Sequence, residues 1–224
     1  MGLIQKLIKK FRYLERVNFD DFDLNLNKNR KIITSYLKII YKDMERIEKY
    51  PLIQKLIPDV MENREKNYKN LKFYLQSEGV NDCYAKNEYP EYYEYECERF
   101  ALGYSELIYF AQCYALYYLY ASNSREELAK TKVASRLVCI YDTMRFAFLQ
   151  YMLMGRGEYA EWKDLLKCEG ESKIHDFAQN IFDNSCLIAK LLKAVQDENS
   201  TDVFEVYNDL SSNMVVECLN PFEI

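Results

Sequence analysis

The sequence predicts an all-α fold, an irregular bundle of about eight helices in a single domain spanning 1–224, with 1–78 the stretch that would form a looser N-terminal subdomain. Three observations carry this. Apolar residues recur at three- and four-residue spacing through most of the chain. Only 6 Gly and 4 Pro occur in 224 residues, which leaves little material for the turns of a sheet protein. No run alternates apolar and polar residues between Asn-Gly or Asp-Gly turns.

The elements follow in order. Leu3, Ile4, Leu7, Ile8, Phe11 and Leu14 form one stripe, predicting a helix over 2–17 with Lys6, Lys9, Lys10 and Arg12 off the stripe. The Asx-rich segment after it reads as a loop. A second helix is expected over 28–50, carrying Ile32, Ile33, Tyr36, Leu37, Ile40, Met44 and Ile47, and Pro51 ends it because a residue before proline is pushed out of the helical region. Pro58 suits the first turn of a third helix reaching Gln76, with Gly79 as terminator. The segment 79–90 lacks apolar periodicity and is the expected subdomain boundary.

Helices over 91–121 and 124–154 should then form a buried central hairpin, the second capped by Asn123 or Ser124 and stopped by Gly155 and Gly157. Shorter helices are expected over 158–168, 172–197 and 201–215. No internal repeat is present.

Charge is unevenly placed. Residues 1–78 hold 17 Lys/Arg against 11 Asp/Glu, whereas 79–224 hold 13 against 24, so a basic third precedes an acidic remainder within a net charge of −5. That balance argues against nucleic acid as a partner. The seven cysteines lie 14 to 32 residues apart with no CxxC pair, as expected of reduced, buried thiols in a cytoplasmic protein. The opening residues do not read as a secretory signal, and Lys6 stands where a myristoylation motif wants Ser or Thr.

Catalytic and metal chemistry is poorly supplied. A single histidine, His175, rules out multi-histidine metal sites. Asp21, Asp23 and Asn25 begin like a calcium loop, but Leu26 and Ile32 replace its glycine and its bidentate glutamate. Asn208 and Ser212 have the spacing of a magnesium motif, yet Val216 stands where its carboxylate belongs. Neither a Walker loop nor a nucleophile elbow occurs, so no catalytic residue, metal or cofactor is expected.

Three surfaces remain. The segment 88–98, with Glu88, Glu91, Tyr92, Tyr93, Glu94, Tyr95 and Glu98, alternates carboxylates with phenols. Its glutamates share a helix face that a basic neighbour would satisfy, and tyrosines of this kind anchor protein interfaces. The expectation is a non-catalytic, cytosolic binding protein of inhibitor or immunity type that engages a basic protein partner there. The second surface is a polar pocket near Glu106, with Gln112 on the same helix and Arg136 and Arg145 as counter-charges from the following one, which would suit an enzyme or a small-ligand binder. The third is the helix 2–17, whose Lys6, Lys9, Lys10 and Arg12 could lie on an anionic membrane. The apolar run 100–121 is long enough to cross a bilayer, but Glu106, Gln112 and six tyrosines mark it as a buried core helix.

Overall fold

The structure is a computed structural model that describes residues 15–20, 24–76, 90–121, 127–156 and 186–211. Among the described residues there are seven helices and no strand, an all-α bundle. Of the expected helix over 2–17, residues 2–14 lie outside the described residues, and 15–17 are not helical; the expected helix over 158–168, the caps Asn123 and Ser124, and the terminators Gly79 and Gly157 also lie outside them.

Helix α1, Leu26–Ile47, buries Ile32, Ile33, Tyr36, Ile40, Met44 and Ile47, the three-four stripe read from the sequence. It ends short of Pro51, and Tyr50 is extended at ψ 123° as proline demands of its predecessor. Pro51 does more than end a helix: it opens a second one, α2, Pro51–Gln54, where its missing N–H costs nothing. Pro58 sits in the first turn of α3, Ile57–Gln76.

Helix α4, Pro90–Ala121, is the centre of the bundle and packs against α1, α2, α3, α5 and α7. Every residue from Leu107 to Leu116 is buried, so for three turns the helix has no solvent face. Tyrosine is a mediocre helix former, by several tenths of a kcal/mol per residue. Burial of a large apolar side chain is worth about 1.5–3 kcal/mol, so packing decides the conformation. Helix α5, Glu127–Arg156, follows and lies against α4, completing the central hairpin. It is helical through Gly155 to Arg156, the last described residue before Gly157, and one helical glycine costs about 1 kcal/mol.

Helix α6 covers 186–196 and buries Leu187, Ile188, Leu191, Ala194 and Val195. It closes with Glu198 in the left-handed region at φ 56°, where Glu198 N–H bonds Val195 O and Asn199 N–H bonds Ala194 O. Asn199 then caps α7, Ser200–Ser211, its Oδ1 accepting from the N–H groups of Thr201 at 3.1 Å and Asp202 at 3.3 Å.

Three buried polar links tie the helices together. Arg16 holds Asp142 of α5 through Nε at 3.0 Å and a second guanidinium nitrogen at 2.6 Å. Asp43 of α1 receives Lys132 Nζ at 2.7 Å, Arg136 Nε at 2.7 Å and the Tyr114 hydroxyl at 3.1 Å. Gln112 of α4 donates to Ser211 Oγ at 2.7 Å and accepts from Asn63 Nδ2 at 3.2 Å, joining α3, α4 and α7. Each satisfies groups that burial would otherwise leave costly.

Candidate functional site

At about 100° per residue, Glu91, Glu94, Tyr95, Glu98, Leu102 and Glu106 fall within about 120° of arc on α4. Packing confirms the geometry. Glu91, Glu94, Tyr95, Glu98 and Leu102 are exposed, with Tyr95 at 61% and Leu102 at 51%, and Glu106 is half-buried. This outward stretch of α4 therefore carries four carboxylates, a phenol and a leucine, with the exposed guanidinium of Arg99 beside them.

The bundle's own basic helices meet part of that line. Lys72 Nζ of α3 lies 3.2 Å from Glu98, and the Tyr68 hydroxyl donates to the same carboxylate at 2.9 Å. Those hydrogen bonds, Tyr68's foremost, hold the Glu98 carboxyl below its ordinary range, and Glu98 in turn raises the Lys72 ammonium. Among the described residues no cation lies within 4 Å of Glu91. Tyr92 and Tyr93 belong to the first turn of α4, but their side chains, like the whole of Glu88, lie outside the described residues.

Where the acidic line ends, a cavity of about 360 Å³ opens between α1, α4 and α5. Phe100, Leu107, Phe110 and Phe146 give it apolar walls, Gly103 leaves one side without a side chain, and Tyr41, Arg99, Tyr104, Glu106 and Thr143 bring its polar groups, the Thr143 hydroxyl being spent on Cys139 O. Tyr41 packs edge-on against Phe110, ring centroids 5.3 Å apart, and its hydroxyl donates to Glu106 Oε2 at 2.8 Å. Burial pushes the Tyr41 phenol up to about 12, and the bond to Glu106 adds to the shift, so Tyr41 is a proton donor at any physiological pH.

The four residues expected around a polar pocket are not brought together. Glu106 lines the cavity; Gln112 lies in the α3–α4–α7 link, Arg136 serves Asp43, and the Arg145 guanidinium stacks 4.1 Å over the Phe19 ring. The reason is facing. Arg145 stands between Thr143 and Phe146, which line the cavity, but turns to Phe19, and Arg136 meets Asp43, which is two residues from Tyr41 and so about 160° around α1 from it. Sequence reasoning missed Tyr41 and Phe146, although Tyr41 continues the spacing of Ile33 and Leu37 at four-residue steps, which was a legible sign that it shares their face.

The arrangement is suited to binding. Burial pushes the thiols of Cys113 and Cys139 up to about 12, which makes them poor nucleophiles. The membrane-face residues Lys6, Lys9, Lys10 and Arg12 lie outside the described residues. Among the described residues no helix is long and apolar enough to cross a membrane. Compared with family models, with curated proteins and with solved structures, the chain matches none of them.

Proposed function

We propose that the chain is a non-catalytic cytosolic binding protein, of inhibitor or immunity type, that engages a basic protein partner through the outward face of α4. The observation that carries this reading is the exposed line Glu91, Glu94, Tyr95 and Glu98 on one face of α4. Carboxylates arranged this way steer a partner of opposite sign, and Tyr95 offers rigid amphipathic area at their centre. Lys72 neutralises Glu98 only in part, since both side chains stay solvated. The cytosolic assignment is supported by the buried thiols of Cys113 and Cys139, which carry no disulfide.

The test is a capture experiment with the full chain as bait, washed at low and high ionic strength beside the E91Q/E94Q/E98Q variant. A partner of basic isoelectric point that is retained at low salt, shed at high salt and lost by the variant is the expected result. Retention that ignores both salt and the three substitutions would overturn the reading.

A further inference from the structure

The cavity at the end of the acidic line has a ligand chemistry of its own. Its walls are aromatic and aliphatic, from Phe100, Leu107, Phe110 and Phe146, and its volume of about 360 Å³ lies within the range of small-molecule sites. A β-carbon built on Gly103 meets nothing within 4 Å, so the open side of the helix faces free space.

The polar members set the sign of the ligand. Glu106 is half-buried, its hydrogen-bond partner is Tyr41, and among the described residues no cation lies within 4 Å of it. Arg99 is exposed and so is already well solvated. A partly desolvated carboxylate gains more from an arriving opposite charge than a solvated guanidinium does.

We propose that this cavity is a binding site for a small amphiphilic amine, an aromatic or alkyl body with one ammonium group, its body among Phe100, Phe110 and Phe146 and its nitrogen on the Glu106 carboxylate. Tyr41 acts as a positioning residue, holding that carboxylate at the mouth. This goes beyond the docking face of α4 and stands or falls separately from it.

The full chain is titrated with 4-phenylbutylammonium, 4-phenylbutanol and 4-phenylbutanoate by isothermal calorimetry and by ring-resonance shifts. The amine is expected to bind saturably and roughly tenfold more tightly than the alcohol, the worth of one charge-assisted hydrogen bond. E106Q should reduce the amine to the level of the alcohol. G103L, which fills the cavity from α4, and A147F, which fills it from α5, should each abolish binding while keeping the wild-type helical circular dichroism. Two blocking variants on different helices keep the result readable if one of them misfolds. Tightest binding by the carboxylate would assign the site to Arg99 and overturn the proposal. So would equal binding of all three probes, binding that survives both blocking variants, or the absence of saturable binding.

Discussion

Arg16 and Asp142 are 126 residues apart in the chain and joined by two hydrogen bonds, at 3.0 and 2.6 Å, with the carboxylate fully buried and the guanidinium largely in solvent. The asymmetry decides what breaking the pair costs. Removing Asp142 leaves a solvated arginine, whereas removing Arg16 leaves a buried carboxylate without its counter-charge. R16A should therefore cost about 1–3 kcal/mol, and R16A/D142N should recover part of it. Urea denaturation of both variants and of D142N closes the double-mutant cycle, in which additive losses would show the bonds to be incidental.

The Asp43 cluster predicts acid lability. Desolvation alone would raise its carboxyl, but the hydrogen bonds from Lys132 and Arg136 outweigh it and hold the group below its ordinary value of 3.8. A carboxyl depressed in the native state contributes stability that is present above the unfolded value and lost as pH falls through the native one. Wild-type protein should thus lose stability below about pH 4, and D43N should show a shallower decline between pH 5 and pH 2. Urea midpoints across that window provide the measurement.

Thiol accessibility follows from packing. Cys113 and Cys139 are buried with their thiols raised, whereas Cys186 is only half-buried. Residue-resolved alkylation of native protein at pH 8, read by mass spectrometry, should label Cys186 at least tenfold faster than the other two. Equal rates would mean that the core around α4 opens as readily as α6.

Gln112 should tolerate no apolar replacement. Q112L keeps the volume but strips partners from Asn63 and Ser211, which the amide serves from two directions. The expected loss is about 1–3 kcal/mol by thermal or urea unfolding, larger than for Q112N with its shorter reach.

Two backbone substitutions should act in the opposite sense. Gly103 is helical and its added β-carbon meets nothing, so G103A should gain about 0.5–1 kcal/mol from helix propensity. Glu198 sits at φ 56°, a conformation that penalises any β-carbon, so E198G should gain a similar amount, about 0.5–1 kcal/mol. Calorimetric melting of both variants checks the pair, with a lowered midpoint in either counting against the local geometry described.

Much of the bundle was legible in the sequence because the signals are local. The stripe from Ile32 to Ile47, the unbroken apolar run after Phe100, and the prolines at 51 and 58 each act within a few residues of chain. The polar links were not. Nothing near Asp43 announces Arg136, 93 residues away, and nothing near Glu106 announces Tyr41, 65 residues before it. Periodicity places a residue on a face of its own helix but does not say which neighbour that face meets, and that is what sent Arg136 to Asp43. The acidic line was legible for the same reason that the pocket's composition was not: Glu91, Glu94 and Glu98 lie on one helix, whereas the cavity walls come from three.

Because α4 packs against five other helices, its surroundings are complete only when the last of them, α7, is in place. Val203, Val206 and Leu210 of α7 are buried where that helix packs on α4, with Asn63 of α3 bonded to Leu210 O, so this surface stays open until the last described helix arrives. During synthesis, then, the aromatic stretch between Phe100 and Tyr120 emerges roughly ninety residues before its final cover, and must wait several seconds at ordinary elongation rates of about 5–20 residues per second. A nascent chain stalled after α5 should be a client for holding chaperones, and one released after Ser211 should not.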